Sequence, residues 1–255
     1  MLIIISPAKT LDYKTPFDIK GETQAPFLKE SETLITELKK LNPTSISSLM
    51  KVSSKIAYLN HDRFAQWQLP FPENTTRQAL LAFKGEVFNG IGAYAFSQAD
   101  MDYAQNHLRM LSGLYGLLRP LDLIMPYRLE MGTKLSVKNH KNLYEFWGHK
   151  ITDKLQDVLN DQQENVLVNL ASNEYYKSVK YKDLNTRIVT PIFKEAKGDS
   201  YKVIAIFAKK ARGLMTRFII KNRLETPEEL KLFDAEGYYF NEALSNDNEY
   251  VFTRG

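Results

Sequence analysis

The chain of 255 residues contains no cysteine. A protein without thiols cannot form disulfides, bind an iron–sulfur cluster through thiolates or use a peroxidatic cysteine. The sequence also lacks an apolar run of the roughly 20 residues that a transmembrane helix needs. Its first residues, MLIIISPAK, have no basic region typical of a signal peptide. We therefore expect a cytoplasmic protein with no membrane partner.

Several motifs that identify enzymes are missing as well. The sequence has no G-x-x-x-x-G-K-[ST] or G-x-G-x-x-G loop and no G-x-S-x-G elbow. The histidines are scattered, without the spacing typical of metal ligands. They are His61, His107, His140 and His149. These absences predict no metal site and no cofactor.

The residues that are present have the composition of an ordinary globular protein, 44% hydrophobic and 25% charged. Hydrophobic patterns predict strands at Leu2–Ile5, Asn165–Leu170, Arg187–Phe193 and Tyr201–Ala208. They predict helices at Leu28–Leu41, Ser45–Leu59, Thr76–Phe83, Asp100–Leu111, Tyr144–Leu159, Glu174–Val179 and Lys209–Arg223. This mixture indicates an α/β (mixed α+β) fold, and the absence of a linker indicates one compact domain, residues 1–255. The patterns do not predict a strand order.

Positive charge is concentrated near the C-terminal helix, although the net charge is only +4. The segment from Ser200 to Leu224 holds seven cations and no acid. They are Lys202, Lys209, Lys210, Arg212, Arg217, Lys221 and Arg223. Helical periodicity puts the apolar residues on one face and most of these cations on the other. Such a face suits a phosphate backbone, or its cations pair with acids elsewhere in the fold.

The segment Arg109–Gly132 combines an apolar sequence with three arginines and, in its first third, the glycines Gly113 and Gly116. The turn from Gly113 to Gly116 resembles a helix-hairpin-helix motif, in which backbone amides contact a DNA phosphate. The alternative is that the glycines permit only a tight turn or close packing. Asp122 and Glu130 are the first candidates for a catalytic acid in this segment.

Two strand-end loops are candidate anion sites. Lys9 follows the first strand, and Asn169–Glu174 has the pattern of a strand-to-helix turn with a capping Ser or Asn. Lys84, in a third loop, is a further candidate. Any of them can also be only a solvated loop charge or a helix cap.

Segments along nearly the whole chain resemble the YaaA family of bacterial peroxide-stress proteins. They are Ser6–Asp12, Phe83–Gly90, His107–Asp122, Pro126–Gly132, Leu143–Gly148, Asn169–Val179, Lys209–Ile220 and Gly237–Phe240. The resemblance implies a compact α/β domain with a basic cleft and a helix-hairpin-helix. It also implies survival of hydrogen peroxide by limiting damage from unincorporated iron. DNA binding, with a preference for distorted or partly unpaired duplex, is the implied molecular activity.

The resemblance assigns the cleft to residues at the family's basic positions. They are Lys9, Arg109, Arg119, Arg128, Lys209, Lys210, Arg212 and Arg217, with Gly113 and Gly116 in the hairpin. Two positions depart from the family pattern: Glu86 and Phe88 stand where Asp and Tyr are expected. A function of that tyrosine's hydroxyl is therefore not available here.

Three hypotheses follow, in order of preference. The first is a DNA-binding protein of peroxide stress. The second is an enzyme that acts on a nucleobase, a nucleotide or damaged DNA in the same cleft, which requires a buried carboxylate near the arginines. The third is direct sequestration of iron. The sequence predicts no oligomeric state.

Overall fold

A computed structural model describes every residue from Met1 to Gly255. The strands are β1 Leu2–Ile5, β2 Thr10–Leu11, β3 Arg77–Gln78, β4 Phe83–Lys84, β5 Leu108–Ser112, β6 Gly116–Leu118, β7 Leu123–Ile124, β8 Val166–Leu170, β9 Arg187–Lys197, β10 Ser200–Lys202, β11 Tyr239–Phe240 and β12 Glu249–Arg254. The helices are α1 Leu28–Leu38, α2 Pro43–Met50, α3 Ser54–Gln66, α4 Ala79–Ala82, α5 Glu86–Ile91, α6 Gln98–His107, α7 Leu143–Trp147, α8 Lys150–Asn160, α9 Asn173–Tyr176 and α10 Ala205–Asn222. The prediction of a mixed α/β fold is confirmed.

The core is an eight-stranded sheet in the order β11-β12-β9-β8-β1-β5-β6. Its eighth strand, β10, pairs with the C-terminal end of β9. β1 lies parallel to both β5 and β8. Every residue of β1 and β8 is buried, as expected of parallel strands that are covered on both faces. The chain places β5 on one side of β1 and later returns to place β8 on the other. The carboxyl ends of β1 and β8 are therefore a topological switch point.

Most predicted strands are confirmed, whereas several helices are interrupted. The second predicted helix is divided at Lys51, which has a left-handed backbone (φ 52°) that ends α2. Gly148 (φ 51°) divides α7 from α8 in the same way. The strand predicted at Tyr201–Ala208 is wrong after Lys202, because α10 already begins at Ala205. In Thr76–Phe83 only the single turn of α4 is helical.

The prediction of a helix-hairpin-helix at the Gly113–Gly116 turn is wrong. α6 ends at His107, and the next five residues form β5, which pairs antiparallel with β6. Gly113 and Gly116 lie in this β-hairpin and are buried. A Cβ at Gly113 would overlap the Leu129 carbonyl, and one at Gly116 would lie 2.7 Å from the Trp147 ring. The glycines therefore serve close packing, and no phosphate can reach them.

Helix α10 packs against α5 at another close approach. A Cβ on Gly213 would overlap the carbonyl of Val87, so glycine is needed at this crossing. The apolar side of α10, including Ala211, Met215 and Ile219, is buried as predicted. This packing holds the first turns of α10 beside the ends of β1 and β8.

Candidate functional site

A cavity of about 310 Å³ opens at the switch point. Ser6 and Ser172 follow β1 and β8, and the Ser172 amide donates a hydrogen bond to Ser6 Oγ at 2.8 Å. The two hydroxyl oxygens are 3.1 Å apart, so the serines join the two strand ends. Open α/β sheets bind ligands outside the carboxyl ends of their strands at such a point. The topology therefore marks this cavity, the central pocket, as the candidate site.

Four cations surround the central pocket. Lys9, Lys84 and Lys209 are exposed at its mouth, and Arg212 is half-buried deeper in the wall. Burial lowers the pKa of the Arg212 guanidinium, which makes no ion pair or hydrogen bond with another residue. Arginines removed from water are normally paired with a carboxylate. Arg212 therefore presents an unmatched positive charge to the pocket.

A second concavity adjoins the central pocket and shares Lys9 and Glu174 with it. Arg128 Nη2 donates to Glu130 Oε1 at 2.8 Å, and Lys9 Nζ lies 3.4 Å from the same oxygen. The other oxygen, Oε2, is buried and accepts no hydrogen bond. Glu174 Oε1 accepts a bond from the Gly132 amide at 3.0 Å. An acid thus lies between two of the predicted cleft cations.

A third concavity shares Lys84 with the central pocket. Lys84 Nζ is 3.8 Å from Asp12 Oδ2. Hydrogen bonds from Thr15 and the Lys14 amide, followed by the charge of Lys84, hold the pKa of Asp12 well below its usual range. Arg63 also lines this concavity, and burial lowers the pKa of its guanidinium. The three concavities are linked through these shared lining residues, and together they are here called the basic groove.

The basic groove carries nine cations and five carboxylates. The cations are Lys9, Lys14, Lys51, Arg63, Lys84, Arg128, Lys134, Lys209 and Arg212. The carboxylates are Asp12, Asp62, Glu86, Glu130 and Glu174. The excess of four positive charges equals the net charge of the whole chain. The rest of the molecule is therefore electrically balanced.

Two other large concavities are acidic at their edges. One lies at the opposite end of the parallel strands and exposes Asp161, Glu164 and Glu225, with Arg109 at its base. The other is lined by Glu22 and Glu73 and by no cation. Neither matches a polyanion, which leaves the basic groove as the electrostatic feature of the surface.

The structure brings five of the predicted site residues together in the groove. They are Lys9, Arg128, Glu130, Lys209 and Arg212. Two other cations of α10 are bound elsewhere: Lys210 pairs with Glu236, and Arg217 donates to the Ile91 and Gly92 carbonyls. The basic helix thus lines the groove with two of these cations and binds the other two within the fold.

Arg109, Arg119 and Asp122 lie away from the groove. Arg109 is buried, and its Nη1 donates to the Gln105 and Leu108 carbonyls at 2.8 Å, while burial lowers its pKa to about 10. Asp122 is fully buried and pairs with Arg119 at 3.0 Å. This carboxylate therefore has a structural ion partner and no access to the groove.

Several groove residues did not stand out in the sequence. Lys14, Lys51, Arg63 and Lys134 are isolated charges in unrelated segments, and only the tertiary fold gathers them.

No group of three or more His, Asp or Glu side chains is close enough to hold a metal ion. No helix combines the length and apolar character that crossing a bilayer requires.

Comparison with known sequences places the chain in a family. A family model described as peroxide stress protein YaaA matches residues 1–244. The chain belongs to this family. It is 56% identical over 254 residues to a UPF0246 protein of Aliivibrio fischeri (strain MJ11), covering 100% of this chain and 98% of that protein. A UPF0246 protein of Aliivibrio fischeri (strain ATCC 700601 / ES114) has the same identity and coverage. Family membership supports a role in peroxide stress.

Proposed function

We propose that the protein acts in peroxide stress as a sequence-nonspecific DNA-binding protein that prefers distorted or partly unpaired duplex. The observation that carries this proposal is the unmatched guanidinium of Arg212 at the centre of the basic groove. A phosphate is the anion that this geometry favours, because lysines flank the guanidinium and the groove continues on both sides. Lys and Arg contacts to phosphates read charge, so no base sequence is selected.

The spread of cations over three concavities favours a polymer over a small anion. Cations continue from Lys134 and Lys51 at one end, past Lys9 in the middle, to Arg63 and Lys14 at the other. A single small phosphate would use only the central pocket. A nucleic-acid strand repeats its charge along such a path and would use all three concavities.

The proposal connects chemically to peroxide and iron. Unincorporated iron reacts with hydrogen peroxide to form hydroxyl radicals, which attack DNA. A protein that binds damaged or unpaired DNA in the cytoplasm would limit that damage. Direct iron sequestration remains the third hypothesis, and the metal content of protein purified without chelators tests it.

Competition binding with a labelled bubbled duplex tests DNA binding. We expect Lys209→Gln combined with Arg212→Gln to weaken binding by at least tenfold, because each charge-assisted contact contributes about 1.5–3 kcal/mol. Lys210→Gln is the matched control on the same helix, since its ammonium is bound to Glu236. Equal affinity of the double variant and the wild type would refute the proposal.

A second candidate is an enzyme acting on a nucleobase, a nucleotide or damaged DNA, and Glu130 favours it. Its buried, unpartnered Oε2 beside Lys9 and Arg128 is an arrangement typical of functional carboxylates. Product analysis after incubation with damaged oligonucleotides and free nucleotides tests this candidate. Turnover that is lost in Glu130→Gln, with DNA binding retained, would support it. An absence of products across the panel would leave DNA binding alone.

A further inference from the structure

The central pocket has a different character from the two concavities beside it. Its deepest lining is apolar and buried, formed by Phe88, Leu170 and Tyr175. Its mouth carries Lys9 and Lys209. A ligand that fits both parts has a flat or apolar body and an anionic group attached to it. A nucleotide has this combination, with a base and a phosphate.

The size of the pocket restricts how much nucleic acid enters it. A volume of about 310 Å³ lies at the lower end of the range for small-molecule sites. A base pair with its two backbones does not fit such a volume, whereas one nucleotide does. We infer that the central pocket receives a single unpaired nucleotide, its base against Phe88 and Tyr175 and its phosphate at Arg212 and Lys209. This inference rests on the proposed function, because it names the part of the bound DNA that the central pocket receives.

Phe88 contributes an aromatic ring to the apolar floor of the central pocket. It is 7% exposed and packs on Phe83 with ring centroids 5.2 Å apart. Base stacking on aromatic rings is tolerant of sequence, because every base has a π-face. The stacking contact therefore does not select which base is bound.

The floor would also give the protein a preference for distorted DNA. Extracting a paired base from a duplex costs its stacking and its pairing, and this cost is smallest for a base that is already unpaired. One stacking contact in the pocket offsets the cost of extracting a base only when that base is already unpaired. Matched duplex therefore lies along the outer groove, and DNA with an unpaired base gains the pocket contact in addition.

Glu174 provides a polar contact at the pocket's edge. Its Oε1 accepts a hydrogen bond from the Gly132 amide, and its Oε2 is bonded to no other residue of this exposed region. This free oxygen can accept a hydrogen bond from an amino group of the base. The Ser6 and Ser172 hydroxyls already bond each other, and they form the polar side of the same cavity.

Three duplexes distinguish the pocket from the groove. One is fully matched, one carries a single unpaired adenine, and one carries an abasic residue at the same bulge. Both bulges bend the duplex, but only the first offers a base. We expect the wild-type protein to bind the adenine bulge about tenfold more tightly than the abasic bulge, which corresponds to about 1.4 kcal/mol.

Val87→Phe narrows the pocket from α5 and is expected to bring this tenfold ratio close to one, with affinity for matched duplex retained. Val203→Phe is the control, since Val203 is 55% exposed and lies outside the pocket. Equal wild-type binding of the two bulges, or an unchanged ratio in a folded Val87→Phe protein, would overturn the nucleotide pocket and leave the groove proposal intact. No binding of any duplex by the wild type would overturn both. The wild-type comparison needs no variant to fold.

Discussion

The salt dependence of DNA binding tests the basic groove quantitatively. Three of its nine cations lie within ion-pair distance of a groove carboxylate: Lys9 and Arg128 with Glu130, and Lys84 with Asp12. The remaining six have no such partner and are free to displace counterions from phosphates. Each phosphate neutralised on a single strand adds about −0.7 to the slope of log K against log salt concentration. Six contacts predict a slope of about −4 on that basis.

Substitution then subtracts from that slope in known steps. Lys209→Gln with Arg212→Gln removes two contacts and is expected to make the slope shallower by about 1.4. Lys29→Gln with Lys182→Gln removes the same charge from exposed lysines outside the groove and is expected to leave the slope nearly unchanged. Fluorescence anisotropy of a labelled single strand across a salt series measures both. Equal losses of slope in the two double variants would show that net charge alone drives binding, and would refute the groove.

Two further predictions concern stability. Asp100→Asn is expected to lower the free energy of unfolding by about 2 kcal/mol at neutral pH. Lys221 and Arg223 bind Asp100 at 2.7 and 2.9 Å and are themselves about 40% exposed. The expected loss is therefore smaller than for a fully buried ion pair. Since hydrogen bonds from those partners hold the pKa of Asp100 well below its usual range despite desolvation, its contribution is complete above the ordinary carboxyl pKa and is lost as pH falls. Urea unfolding of the wild type and the variant at neutral and acidic pH measures this effect. A difference between their free energies of unfolding that increases at acidic pH would contradict the prediction. Gly213→Ala is expected to cost about 1–3 kcal/mol through overlap with the Val87 carbonyl, and an unchanged thermal midpoint would contradict the close α5–α10 crossing.

The location of the site was only partly predictable from the sequence. The strands at Leu2–Ile5 and Asn165–Leu170 followed from local patterns, which also marked the loops after them as candidate anion sites. What the patterns do not contain is that β1 and β8 are neighbours, because strand pairing depends on contacts more than 160 residues apart in the chain. Without that pairing the two loops are separate candidate sites, and the sequence does not reveal the switch point.

The arginine-rich segment shows why a local pattern misled the prediction. Leu108–Ser112 is a short apolar run, and such runs fit a buried strand as well as the end of a helix. The burial of Arg109 and the Arg119–Asp122 pair agree with the rule that arginines enter apolar segments when they are bonded. The sequence indicated that these arginines have partners, but not that the partners are internal.

Arg212 provides the last test, because its role in binding and its role in stability should have opposite signs. Desolvating a guanidinium that has no carboxylate partner costs free energy in the unbound protein. A bound phosphate would offset that cost. Arg212→Met keeps the apolar stem of the side chain and removes the unmatched charge. We therefore expect unchanged or higher thermal stability together with weaker DNA binding, as at sites where function is maintained at the expense of stability. Thermal unfolding and DNA titration of the same preparation measure the two effects. A loss of stability with unchanged DNA binding would instead make Arg212 a structural residue and remove the central support of the proposed function.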